Sequence, residues 1–264
     1  MLKKNFKNNS FILCNKKYKS RLLIGTGKYR SFFELRDVIK ISKANIITIS
    51  IKRLNLFEKR ASSNLLKMLY KESCTILPNT ANCYNAEEAV YVSKLSRELL
   101  EGNNLIKLEI LGDKKTLLPN MQETFKAVEI LIKDNFKVMV YCTDDSIQAK
   151  ILEKMGVIAI MPLASMIGSG MGILNKFNLS LIVKESNIPI IVDAGIGTAS
   201  DAVIAMEIGC DGVLMNTAIA KAKNPIIMAN AMKKAVQSGR QSFLAGRMNK
   251  KNIAFSSSPK FNFF

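Results

Sequence analysis

The chain has 264 residues, 48% of them hydrophobic and 23% charged, which excludes a disordered or low-complexity protein and allows a full apolar core. It contains no histidine, so imidazole triads, HExxH metalloproteases and imidazole acid–base chemistry are excluded, leaving Lys, Asp, Glu, Tyr and Cys as proton handlers. The net charge of +18 comes from lysines spread among many Asn and Ile residues, without a basic helix or aromatic-interleaved groove, and reads as a coding bias rather than a nucleic-acid footprint.

The opening MLKKNFKNNSFILCNKKYKS lacks the long apolar segment of a secretory signal, and no later run approaches the roughly 18 apolar residues of a membrane span. A soluble, unexported protein is expected, with residues 1–19 as an N-terminal appendage. Cys14, Cys74, Cys83, Cys142 and Cys210 are odd in number, widely spaced and without CxxC, so they predict free thiols in a reducing compartment. Cys142, near a strand end, is a candidate pocket-lining thiol.

Along the chain, residues 22–24 form the first buried-strand pattern and run into Gly25-Thr-Gly27-Lys28. That segment resembles half of a P-loop but lacks the GxxxxGK[ST] spacing, and Tyr29 follows the lysine, so triphosphate binding is not expected. A helix is expected over 31–42, then strands over 46–51 and 75–77. Asn85 with Glu87 and Glu88 marks a helix start, and Gly102 its stop.

The fourth strand, over 105–111, reads LIKLEIL, and a period of two puts Lys107 and Glu109 on one face. If that face lines a barrel, burial is expected to lower the lysine pKa and yield a neutral amine that attacks ketones. The alternative is a structural ion pair filling a barrel layer. Helices over 121–134 and 146–155 flank a strand over 137–141, and a sixth strand covers 158–163. After it, Gly168, Gly170 and Gly172 lie in a loop that either brings amides toward an anion or is a flexible turn.

A seventh strand over 188–192 ends in Asp193-Ala194-Gly195-Ile196-Gly197-Thr198, a helix follows over 200–208, and an eighth strand over 212–215 ends in Asn216-Thr217. Glycines and unpaired helix N-termini there are suited to gripping a phosphate. Asp193 at a strand's C-terminal end reads as catalytic or substrate-orienting, with capping of the next helix as the alternative. A last helix is expected over 224–238. Residues 248–264 look appended, with Phe261, Phe263 and Phe264 available to dock on a neighbouring surface. Eight strands alternating with helices favour a parallel sheet closed as a (β/α)8 TIM barrel, one domain over 1–264 with the barrel at about 20–247.

The motifs LLIGTGKY, LPNTANC, IKLEILGD, TLLPN, YCTDD, MPLASMIGSGMGI, IVDAGIGTASDAVIAMEIGCDGVLMNTAIA and AGR together resemble bacterial-type thiazole synthase of thiamine biosynthesis, over nearly the whole chain. The resemblance implies condensation of 1-deoxy-D-xylulose 5-phosphate, dehydroglycine and thiocarboxylate sulfur into a thiazole phosphate. It implies an imine on Lys107, acid–base roles for Glu109 and Asp193, and sugar-phosphate binding by Gly168, Ala194, Gly195, Asn216 and Thr217. No metal or redox cofactor is implied. Implied partners are a thiocarboxylated sulfur-carrier protein and a dehydroglycine-producing enzyme, with no nucleic acid and no membrane, and the implied state is a homotetramer in the cytoplasm, or plastid stroma if plastid-encoded. The family usually has glycine where this chain has Asn82, a residue that tolerates left-handed backbone. Rival readings are a Schiff-base, aldolase-like lyase acting on another sugar phosphate and a non-enzymatic basic phosphate- or RNA-binding barrel.

Overall fold

The computed structural model describes residues 10–53 and 59–257; the carboxy-terminal Phe261, Phe263 and Phe264 lie outside the described residues. The chain begins with a hairpin of β1 (Phe11–Leu13) and β2 (Lys16–Tyr18), paired antiparallel. Its two turn residues, Cys14 and Asn15, take φ of 49° and 60°, the double left-handed turn that matches strand twist.

Eight strands follow: β3 (Leu22–Gly25), β4 (Ile46–Ser50), β5 (Thr75–Asn79), β6 (Leu105–Leu108), β7 (Lys137–Cys142), β8 (Ala159–Pro162), β9 (Ile191–Asp193) and β10 (Gly212–Met215). All neighbours are parallel, in the order β8-β7-β6-β5-β4-β3-β10-β9. Single parallel bridges from Ile160 to Ile190 and from Leu163 to Asp193 join the two ends of that order, giving the expected (β/α)8 barrel.

The helices are α1 (Phe32–Ser42), α2 (Lys59–Lys71), α3 (Ala86–Leu99), α4 (Met121–Lys133), α5 (Ser146–Lys154), α6 (Lys176–Glu185), α7 (Ala199–Ile208), the short α8 (Thr217–Ala220) and α9 (Pro225–Ala245). Local chemistry sets their starts: Ser31, Asn85, Asn120, Asp145, Asn175 and Asn224 each accept a backbone N–H of the first turn. Three of the helices, α2, α6 and the short α8, fall where no helix was expected. In α6 only Leu179 and Ile182 are buried, too sparse a stripe to stand out from the surrounding apolar residues.

Strand alternation divides the core in two. Leu22 and Ile24 of β3, and Ile106 and Leu108 of β6, face the helices, whereas Leu23 and Leu105 face the barrel interior. The interior layer also contains Met139, Met161, Ile191 and Leu214, and it is completed by Phe11, Leu13 and Tyr18 of the hairpin. The described part of the amino-terminal segment is therefore packed structure rather than an appendage: Phe11 and Leu13 are each 2% exposed. It closes the end of the barrel where the strands begin, leaving the opposite end for chemistry. Among the described residues no helix is long and apolar enough to cross a membrane.

Candidate active site

The interior phase that places Leu105 inside the barrel also places Lys107 there, and Glu109 follows on the same side. Lys107, Glu109 and Asp193 are buried, at 4%, 7% and 4% exposure. Lys107 Nζ lies 3.2 Å from Glu109 Oε2 and 2.6 Å from Asp193 Oδ2, so β6 and β9 bring the three expected residues into one cluster. The Asp193 contact is an ion pair whose Oδ2 has no aligned hydrogen-bond donor among the described residues. The alternative role for Asp193 as a helix cap is not seen. The start of α7 is closed by Asp201, whose carboxylate accepts the Gly197 and Thr198 N–H groups, each at 3.0 Å.

The expected strand over 105–111 stops at Leu108, and the reason positions Glu109. Thr80 replaces a neighbouring strand there: its Oγ1 accepts the Glu109 N–H and donates to the Glu109 carbonyl, each at 2.8 Å. One fully buried hydroxyl thus satisfies both backbone groups of the carboxylate residue. The preceding loop is pinned as well. Asn82 takes φ of 66°, the left-handed geometry expected of it, and its carbonyl accepts Lys52 Nζ at 2.7 Å while Lys52 also pairs with Glu88.

The electrostatics correct one expectation. Burial acts to lower the Lys107 pKa, but the adjacent Asp193 and Glu109 carboxylates outweigh it, and the ammonium is held well above the usual lysine range. Asp193 is raised too, because its burial outweighs the lysine's effect. The two directions differ in origin: the carboxylates hold the Lys107 proton, whereas burial holds the Asp193 proton. The Tyr141 ring lies 5.7 Å from Nζ and its hydroxyl donates to the Leu117 carbonyl at 3.3 Å. Cys142 does not line the cavity. It is fully buried in the layer between strands and helices, because residue 142 has the outward phase of β7.

The cluster forms part of the wall of a cavity of about 540 Å³ at the end of the barrel where the strands terminate. Gly168, Ala194, Gly195, Asn216 and Thr217 line the same cavity, so all eight residues singled out in the sequence share one site. The loops carrying them interlock through backbone contact. Gly172 N–H donates to the Gly195 carbonyl at 2.8 Å, and a Cβ at Gly195, where φ is 80°, would lie 2.2 Å from Ser165 Oγ and 2.4 Å from Ser165 N. Ala194 also takes a left-handed φ of 67°, uncommon for a residue with a side chain. Gly25 leaves room for Asn216, whose Cβ is 2.8 Å from where a Cβ on residue 25 would lie. Asn216 Oδ1 is a buried acceptor without a hydrogen-bond partner among the described residues.

Sequence reasoning gave no site role to Thr80 or Tyr141, and it set Lys28 aside with the incomplete P-loop pattern. Lys28 Nζ lies 3.3 Å from Thr217 Oγ1, although the two are far apart in sequence. The signal that would have found it is barrel closure itself: once β3 neighbours β10, the loops after both strands must adjoin.

Sequence comparisons with known proteins agree on one family. The profile of the family described as thiazole biosynthesis protein ThiG matches residues 12–259. The chain is 60% identical over 247 residues to the thiazole synthase of Aromatoleum aromaticum, covering 94% of this chain and 95% of that protein. It is 59% identical over 244 residues to the thiazole synthase of Azoarcus sp., covering 92% and 94%. Among solved structures, a chain of the Amycolatopsis orientalis BexX/CysO complex is similar with a TM-score of 0.83 and 28% identity, covering 92% of this chain and 98% of that one.

Proposed function

The chain belongs to the ThiG family, the thiazole synthases of thiamine biosynthesis, and we propose that its barrel mouth condenses 1-deoxy-D-xylulose 5-phosphate, dehydroglycine and thiocarboxylate sulfur through an imine on Lys107. The observation that carries the mechanism is the buried cluster of one lysine between two carboxylates, beside glycine loops suited to a phosphate.

Asp193 is the closer carboxylate, and its raised proton affinity suits it to accept the ammonium proton as a ketone enters. The neutral amine then attacks C2, and loss of water leaves an iminium that acidifies the neighbouring C3–H. Glu109, held by Thr80, removes that proton, and the carbonyl moves to C3, where sulfur adds. Gly168, Ala194, Gly195, Asn216 and Thr217 hold the phosphate, fixing which carbon meets the lysine.

A sulfur-carrier protein as partner is supported by the similar solved chain, which comes from a complex of two proteins. A dehydroglycine-producing enzyme, a homotetrameric state and a cytoplasmic location, or plastid stroma if plastid-encoded, complete the proposal. The test is borohydride trapping with 1-deoxy-D-xylulose 5-phosphate followed by peptide mass spectrometry. A reduced adduct on Lys107 is expected. A folded protein that gives no adduct, or one carrying it on another lysine, would sink the mechanism.

A further inference from the structure

We propose that Lys28 is the charged ligand of the substrate phosphate and the residue that selects a phosphorylated over a non-phosphorylated ketose; this rests on the phosphosugar reading above. The first argument is position. β3 and β10 pair with Ile24 opposite Met215, so the loops that leave them run side by side. Lys28 Nζ lies 3.3 Å from Thr217 Oγ1, and a Cβ built at Gly168 would lie 3.7 Å from Nζ and 3.8 Å from Thr217 Oγ1. One ammonium, one hydroxyl and one side-chain-free backbone position, from three separate loops, therefore surround the same small space.

The second argument is charge. Among the residues that line the cavity, the cations are Lys28, Lys107 and Lys221, and the anions are Glu109 and Asp193. Lys107 is engaged by both carboxylates, which leaves the centre with surplus negative charge. A phosphate dianion placed beside that centre is repelled unless a separate cation stands at the phosphate end. Lys28 stands there, 3.3 Å from the Thr217 hydroxyl, which can share a phosphate oxygen with it.

The third argument is that the loop is held in place. Lys28 takes φ of 69°, sparsely populated for a residue with a side chain. Thr26 donates its hydroxyl to the Thr48 carbonyl at 3.1 Å, and the Tyr29 ring packs against the core on the other side. The lysine is thus fixed between two anchored neighbours.

The experiment compares wild type with Lys28→Gln, which keeps a polar hydrogen-bonding side chain without charge, and Lys28→Arg, which keeps charge, by titrating 1-deoxy-D-xylulose 5-phosphate and its non-phosphorylated analogue. Lys28→Gln is expected to weaken the phosphosugar by about tenfold or more, the usual effect of losing a charge-assisted hydrogen bond. Affinity for the non-phosphorylated sugar is expected to stay unchanged, and Lys28→Arg to keep most of the phosphosugar affinity. An unchanged phosphosugar affinity in Lys28→Gln, or an equal loss for both sugars, overturns the assignment. Borohydride trapping on wild type separates the two levels: an adduct on Lys107 with no dependence on Lys28 removes this inference alone, whereas no adduct in wild type removes the underlying reading.

Discussion

Lys107 Nζ stands 2.6 Å from Asp193 Oδ2, closer than to Glu109 Oε2 at 3.2 Å, so Asp193 is the stronger brake on loss of the lysine proton. Because the lysine pKa is raised in the fold, the folded state binds that proton more tightly than the unfolded chain. The resulting stability is fully present below the ordinary lysine value and is lost as pH rises through the raised one. Asp193→Asn is expected to bring the lysine down toward its ordinary value, since only Glu109 then favours the ammonium. The pH profile of borohydride trapping at Lys107 should move to lower pH relative to wild type. A profile that stays put, or moves up, contradicts the assignment of Asp193 as the dominant partner.

Glu109→Gln keeps the shape of the cluster but removes a base. Trapping at Lys107 should persist, while exchange of the C3 hydrogen of the bound sugar with deuterated solvent should fall by about 10²–10⁴-fold, the usual contribution of a positioned general base. Mass spectrometry of recovered sugar reads this directly. Exchange at the wild-type rate would transfer the role to Asp193.

Thr80→Val tests whether Glu109 depends on the hydroxyl that replaces its missing strand partner. The substitution conserves shape but leaves a buried N–H and carbonyl unsatisfied, at a cost of about 1–3 kcal/mol each before any relaxation. Lowered stability in urea is expected, together with reduced turnover and an intact Lys107 adduct. If stability falls and C3 exchange is untouched, Thr80 holds the backbone alone and does not position the carboxylate.

The site was legible in the sequence to the extent that chemistry and period coincide. Lys107 and Glu109 share an interior phase that any buried parallel strand imposes, and Asp193 ends a run too apolar to carry a carboxylate casually. The expected lowering of the Lys107 pKa failed because it weighed burial without the two carboxylates, Asp193 from a distant strand and Glu109, which together outweigh it. Lys28 and Thr80 were hidden for the same reason, since each acts across a contact set by closure of the barrel and not by local pattern. Helix α6 shows only two buried positions and so carries a weak stripe, whereas α2 buries Met68 and Leu69 with Leu65 and Leu66 packed beside them, a stripe that the sequence reading passed over.

Gly195→Ala and Gly102→Ala separate backbone strain from crowding. Both glycines have left-handed φ, 80° and 87°, but a Cβ at Gly102 meets nothing within 4 Å, whereas at Gly195 it would lie 2.4 Å from Ser165 N. Gly102→Ala should cost only the left-handed backbone penalty, about 1–2 kcal/mol. Gly195→Ala adds overpacking of a further 1–3 kcal/mol or so, and it displaces the loop proposed to hold phosphate. Thermal unfolding is expected to rank Gly195→Ala well below Gly102→Ala, with phosphosugar affinity lost only in the former. Equal affinities would mean that the Ser165 loop can move aside without disturbing the site.

The amino-terminal hairpin gives the last test, because sequence alone suggested an appendage. Phe11 is 2% exposed, its ring centroid is 5.8 Å from that of Tyr18, and the Arg21 guanidinium lies 5.8 Å from it on the barrel side. Ile12, on the same strand, faces outward at 46% exposure. If the hairpin is the barrel's floor, Phe11→Ala should cost about 3–5 kcal/mol, as for other buried aromatic truncations, while Ile12→Ala stays within about 0.5 kcal/mol of wild type. For a chain of this size the first change lowers Tm by roughly 6–15 °C. The proposed chemistry lies at the other end of the barrel, so trapping at Lys107 should be unaffected below the unfolding range. Equal, small effects from the two substitutions would return the hairpin to the status of an appendage. A large effect of Phe11→Ala on trapping, with the protein still folded, would show that the floor sets the height of the Lys107 layer above it.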